Sequence, residues 1–171
     1  TETSGAICQL TVADHKKALN GRLELLKSCG RPNAASQVRV VDGAGNDLPA
    51  NELGELIVKG STVMMAYWNQ PEKTAAAIKD GWLYTGDIGY YDEEGYFFLK
   101  DRKKDMVITG GENVYPNEVE RVLLQHDSVA DAAVIGVPDE KYGESLMAFI
   151  VLEESSSLDD QTLIDFCRDH L

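Results

Sequence analysis

The apolar residues change their spacing part-way along the chain, and that change limits what it can fold into. Residues 36–42 (SQVRVVD) alternate and are valine-rich, 43–47 (GAGND) read as a turn, and 54–60 (GELIVKG) read as a second strand. Residues 61–80 hold an aromatic pair and a short helix ending near Asp80. Residues 82–85 predict a strand that 87–91 continue past a glycine kink, with a hairpin turn at 92–95 and a returning strand at 96–100. Beyond Arg102, helical spacings enter. A brief strand at 106–109 precedes Gly110-Gly111, and Pro116 suits the first turn of a helix with Val119, Val122, Leu123 and His126 on one face. Strands at 129–137 and 145–152 flank a polar loop at 138–144. A last helix spaces Leu163, Phe166, Cys167 and His170 by threes and fours, and Ser157 with Asp160 predicts its start as a capping box. Residues 155–157 are a short serine run, and residues 1–30 hold at most a short helix ending near Gly30.

The expected fold class is therefore α+β. A small strand-rich, barrel-like subdomain over residues 1–101 is followed by a compact α+β domain over residues 102–171.

Composition narrows the partners. A net charge of -13 over 171 residues disfavours nucleic acid and anionic lipid at long range. The local exception is Lys100, Arg102, Lys103 and Lys104, which read either as a solvated turn or as a patch for a small anion. Cys8, Cys29 and Cys167 are widely spaced and form no CxxC pair, which points to free thiols and a cytoplasmic location. His15, His126 and His170 show no zinc-ligand spacing with them. No run is long enough for a transmembrane helix, and no signal peptide is visible.

Several residues are chemically suggestive. Asp87, in Tyr84-Thr85-Gly86-Asp87, offers two acceptor oxygens that match two ribose hydroxyls, although Thr-Gly-Asp alone reads more readily as a turn. Arg102 is a planar cationic fork for ribose or phosphate oxygens, or else a surface partner of Asp101 or Asp105. Lys104 lies where the two halves meet. Gly110-Gly111 reads as a narrow gap for a thin ligand arm or as a turn between strand and helix, with Glu112 and Asn113 beside it. Thr1-Glu2-Thr3 is uninformative alone, though a hydroxyl beside a carboxylate suits phosphate and magnesium. The Gly43-Ala-Gly45-Asn turn lacks the third glycine and the helix of a nucleotide loop.

Taken in order, these segments resemble the adenylate-forming (AMP-binding) superfamily, and within it the acyl-CoA synthetases. Residues 1–5 (TETSG) look like the tail of a Tyr-Gly-x-Thr-Glu motif. Residues 54–60 and 66–74 (AYWNQPEKT) resemble the segment before the ribose loop, residues 81–87 that loop, and residues 95–118 the strand, hinge and Gly-Gly-Glu-Asn-x-Tyr-Pro stretch after it. Ala66 stands where the family usually has glycine.

The resemblance implies a fragment of an ATP-dependent ligase that activates a carboxylic acid, by preference a fatty acid, as acyl-adenylate and transfers it to coenzyme A. It makes Thr1, Asp87 and Arg102 nucleotide-binding, Glu2 a magnesium ligand, Lys104 the hinge, and Gly110, Gly111 and Glu112 the coenzyme A path. The expected small-molecule partners are the acid, ATP with Mg2+, and coenzyme A. Aryl-acid and short-chain-acid ligases of the same superfamily are the alternative. Luciferase-like and carrier-loading members fit the Gly-Gly-Glu-Asn segment less well. The family's catalytic lysine falls beyond Leu171, and its large N-terminal region precedes Thr1. The chain alone is therefore expected to be inactive, and a non-catalytic interaction module is a further reading for it.

Overall fold

The computed structural model describes residues 1–154 and 156–171, so Ser155 of the serine run lies outside the described residues. The chain divides into two compact units, Thr1–Leu99 and Lys100–Leu171, two residues upstream of the expected 101/102 boundary.

In the first unit, β1 (Cys8–Gln9) pairs with β2 (Arg31–Pro32). Between them lie α1 (Val12–Leu19) and a 3-10 turn, Leu23–Lys27. Helix α1 thus ends well before Gly30. Its start is a reciprocal cap: the Asp14 amide donates to Thr11 Oγ1 at 3.3 Å, and the Thr11 amide donates to Asp14 Oδ2 at 2.7 Å. Asp14 is buried, and its carboxylate also accepts from Tyr96 Oη at 2.6 Å and pairs with Arg31 at 3.1 Å. These donors, the Thr11 and Tyr96 hydroxyls first, hold its carboxyl far below the usual carboxylate range.

The main sheet of this unit runs β3 (Ser36–Val41), β4 (Gly54–Gly60), β6 (Trp82–Tyr91) and β5 (Ile78–Lys79), with β7 (Phe97–Arg102) also pairing β6. Helix α2 (Pro71–Ala77) enters β5 directly. The described strands form an open sheet, so the barrel-like expectation is corrected: with β3 and β5 at the ends of the path, no ladder joins the edges. Strand β4 is buried from Glu55 to Val58, which explains its unbroken Leu-Ile-Val run. Val40, Leu56 and Phe97 form one core cluster, and Ala18, Leu25 and Tyr96 another.

In the second unit, β8 (Val107–Thr109), β9 (Glu112–Val114), α3 (Pro116–Leu123), β10 (Val129–Asp139), β11 (Gly143–Leu152) and α4 (Asp160–His170) build an antiparallel sheet of order β10-β11-β8-β9 with two helices. Val119, Leu123, Val129, Val134 and Leu163 form its core, backed by Ala132 and Ile150, which face each other across β10 and β11. The expected loop at 138–144 is mostly strand, because pairing runs on to Asp139 and Gly143. The cap of α4 is Asp159, accepting from Thr162 N–H at 3.0 Å, and not Ser157: an ionised carboxylate suits the positive helix end better than a hydroxyl.

Candidate functional site

The Thr-Gly-Asp segment is a bulge in β6. Against β4, Ile57 pairs with Tyr84 and Glu55 with Ile88, so Leu56 alone on β4 faces residues 85–87 of β6. Gly86 takes φ 73°, a left-handed conformation that glycine adopts without a side-chain penalty. Thr85 fastens the bulge, because its Oγ1 donates to Leu56 O at 2.9 Å and accepts from the Asp87 amide at 3.0 Å. The Gly86 amide donates to the buried Glu55 carboxylate at 3.2 Å. The half-buried Asp87 is therefore presented by a pinned irregularity, and the glycine kink of the sequence is its cause.

Glu2 is also held. Tyr67 Oη donates to its Oε1 at 3.0 Å, and the Met64 amide donates to its carbonyl at 2.8 Å. Tyr67 is in turn fixed by its own amide, which donates to Thr74 Oγ1 of α2 at 3.0 Å. The Glu2 backbone amide and the Tyr67 hydroxyl hold the Glu2 carboxyl below its ordinary value. Thr1 is exposed. Among the described residues no three His, Cys, Asp or Glu side chains gather as a metal cage. A cation here would have one carboxylate and otherwise oxygens from its ligand, which fits magnesium carried by nucleotide phosphates.

In the second unit, Arg102 and Lys104 line one cavity of about 590 Å³, with Asp101, Asn117, Glu120 and Glu144. Lys104 lies 3.9 Å from Asp105 at an exposed position. Two of the wall carboxylates have backbone duties: Glu120 accepts from Val134 N–H at 2.8 Å and Glu144 from Ile108 N–H at 2.9 Å. The cavity thus has mixed charge.

Gly110, Gly111 and Glu112 form a different feature. Thr109 pairs with Glu112, leaving Gly110-Gly111 as a two-residue hairpin tip with φ 59° and 90°, the signature of a type I′ turn. This corrects the strand-to-helix loop: the turn joins two strands, and Glu112 opens β9. A side chain at Gly111 would point into open space, whereas at Gly110 it would meet Tyr142 at 3.4 Å.

Sequence reasoning missed Tyr67, Thr74, Thr85 and Asp101 as supporting residues. Tyr67 and Thr74 both belong to the AYWNQPEKT segment, but Glu2, to which the Tyr67 hydroxyl donates, is 65 positions away from Tyr67.

The open sheet of the first unit, whose β3–β4, β4–β6 and β5–β6 ladders are antiparallel, and the small antiparallel α+β unit after it lie in a chain that matches known enzymes. Residues 1–68 match the AMP-binding enzyme family and residues 118–171 the AMP-binding enzyme C-terminal domain. The chain belongs to the AMP-binding, adenylate-forming enzyme family. A long-chain-fatty-acid–CoA ligase of Bacillus subtilis is 47% identical over 145 residues, covering 84% of this chain and 26% of the relative. A 2-succinylbenzoate–CoA ligase of Geobacillus kaustophilus is 43% identical over 171 residues, covering 100% of this chain and 33% of the relative. The o-succinylbenzoate CoA synthetase of Bacillus subtilis, solved with its acyl-adenylate intermediate, superposes with a TM-score of 0.88 at 37% identity, covering 99% of this chain and 33% of that one. An amide bond synthetase of Marinactinospora thermotolerans gives a TM-score of 0.83 at 41% identity, covering 96% of this chain and 32% of that one. The chain thus spans about a quarter to a third of the length of these relatives. No described helix is long and apolar enough to cross a membrane.

Proposed function

We propose that this chain is part of an ATP-dependent acyl-CoA synthetase. In the first half-reaction a carboxylate oxygen attacks the α-phosphorus of ATP. The bond to the bridging oxygen breaks, pyrophosphate leaves, and an acyl-adenylate forms. In the second, the coenzyme A sulfur attacks the acyl carbonyl carbon, the thiol proton is lost, and AMP departs with the acyl C–O bond electrons. Asp87 binds ribose hydroxyls as an acceptor, and Arg102 donates to ribose or phosphate oxygens. Thr1 contacts phosphate and Glu2, steadied by Tyr67, takes a place in the magnesium shell. Magnesium supplies charge neutralisation on the phosphates. Lys104 is the pivot about which residues 105–171 reorient between half-reactions, and Gly110, Gly111 and Glu112 line the coenzyme A path.

The observation that carries this reading is the Thr85-pinned bulge, which presents Asp87 on a fold 37% identical to an enzyme solved with an acyl-adenylate. A fatty acid is the preferred substrate class, supported by the 47% identity to a long-chain ligase. An aryl acid is the second reading, supported by matches to 2-succinylbenzoate ligases along the whole of this chain.

The full-length parent should exchange pyrophosphate into ATP with one class from a panel of fatty and aryl acids, and Asp87→Ala should weaken ATP use. An intact exchange rate in that variant would remove Asp87 from the site. The chain alone should release no pyrophosphate.

A further inference from the structure

Contacts between the end of β7 and the start of α3 bridge position 104. Asp101 Oδ2 accepts from the Asn117 amide at 2.9 Å, while its Oδ1 accepts from the Arg102 amide at 2.7 Å. Lys100 Nζ donates to Glu118 Oε1 at 3.1 Å, and Asn117 Nδ2 donates to the Lys100 carbonyl at 3.4 Å. Three of these four bonds have one partner before Lys104 and the other after it.

Helix α3 needs this help. Tyr115 is its N-cap residue and makes no side-chain cap bond, and Pro116 follows at the first helical position. The early amides of a helix lack internal acceptors. Asp101 supplies, from 16 residues upstream, the acceptor that Ser, Asp or Asn ordinarily supplies at the cap. Its negative charge also suits the helix N-terminus.

We propose that Asp101, with Lys100, Asn117 and Glu118, is a latch across Lys104 that holds one of the two orientations of residues 105–171. It rests on the reading of Lys104 as pivot. A rotation there displaces every group after 104 relative to every group before it. A hydrogen bond fades within about an ångström or some tens of degrees, so the three bridging bonds cannot persist through a large rotation. The Lys100–Glu118 pair is partly exposed and contributes little. The Asp101–Asn117 bond contributes more, because losing a helix cap leaves a donor unsatisfied. The latch is also consistent with the second compact unit beginning at Lys100 instead of at the pivot, since Lys100 and Asp101 bond to Asn117 and Glu118 of α3. Asp101 is a positioning residue, acting on both half-reactions through the helix.

The test uses the full-length parent with Asp101→Ala, Asp101→Asn and Lys100→Met. Three quantities are read: hydrogen exchange at the Asn117 amide, ATP–pyrophosphate exchange, and thioester formation from preformed acyl-adenylate. Asp101→Ala should speed exchange at Asn117 and move the two half-reactions in opposite directions, by about fivefold in their ratio. Asp101→Asn, which keeps one acceptor oxygen, should give a smaller change, and Lys100→Met the smallest. Both half-reactions falling together, or their ratio staying fixed while the Asn117 amide opens, overturns the latch. An unchanged Asn117 amide overturns it as well. A wild-type parent that performs neither half-reaction overturns the synthetase reading itself, and the latch with it, so the two failures differ in the control.

Discussion

Substitution at Gly111 separates backbone strain from obstruction. Gly110 and Gly111 are both left-handed, at φ 59° and 90°, because the β8–β9 hairpin turns in two residues. A residue with a Cβ in that region is destabilised by about 1–2 kcal/mol. At Gly111 nothing lies within 4 Å of where the Cβ would be, so no clash adds to the strain. Gly111→Ala should therefore cost about 1 kcal/mol, equal to roughly 4–8 °C in the melting temperature of a unit this small and less in a larger parent. Gly111→Asn should cost less, since asparagine tolerates the conformation. Gly111→Trp should melt much like Gly111→Ala, because its ring projects into solvent. Function should diverge where stability does not. If pantetheine passes the hairpin tip, Gly111→Trp stops thioester formation while pyrophosphate exchange continues, and Gly111→Ala spares both. Melting curves and the two half-reaction assays on the full-length parent give the answer. Equal loss of thioester formation in the Ala and Trp variants, or a matching loss of pyrophosphate exchange in the Trp variant, would refute the reasoning.

Three further outcomes follow from the same geometry. Tyr67→Phe removes the 3.0 Å bond to Glu2, a contact worth about 1 kcal/mol, so the parent's magnesium requirement should rise about fivefold with the maximal rate kept; a fall in rate at saturating magnesium would count against it. The Asp14 carboxyl is depressed in the folded state by Thr11, Tyr96 and Arg31, so its stabilisation is complete above its unfolded value of about 4 and is lost as pH falls toward the folded value. Acid titration of melting should thus be shallower for Asp14→Asn than for wild type, and parallel curves would exclude Asp14 as the acid-sensitive group. Burial, with Cys29 adding to it, pushes the Cys8 thiol up to about 11, leaving ~0.1% thiolate at pH 8. Alkylation of folded protein at that pH should be far slower at Cys8 than at a free thiol, and fast labelling would contradict the burial.

What was legible in the sequence was local. The alternation of residues 36–42 became β3, the Asp92–Gly95 turn closed β6 onto β7, and Pro116 opened α3, because each depends on neighbours a few positions apart. What was not legible depended on distant partners. The chain alone does not reveal that Thr85 would reach Leu56, 29 positions away, and so turn a glycine kink into a bulge that fixes Asp87. Nor does it reveal that Gly110-Gly111 would be a hairpin tip, because Glu112–Val114 has no strand pattern of its own and becomes β9 only by pairing with β8. The serine at 157 was a legitimate cap signal, but Asp159 stood two residues nearer the apolar face that seats Leu163 in the core.

The same division explains the Asp-Arg-Lys-Lys-Asp cluster. By composition it is a solvated turn, and by resemblance a ribose arginine followed by a hinge lysine; both readings looked at its cations. The structure gives at least one decisive task to an anion. Asp101 engages the Arg102 and Asn117 amides, so the acidic residue beside the cations holds the strand end to the helix. Neutralising Asp101 removes an acceptor from two backbone donors, while neutralising Lys104, exposed and 3.9 Å from Asp105, removes a solvated charge. In melting experiments on the parent, Asp101→Ala should therefore be the more destabilising of the two, by about 1 kcal/mol. If Lys104→Ala proved costlier, the cluster would be held by its cations, and the helix cap would have to come from elsewhere.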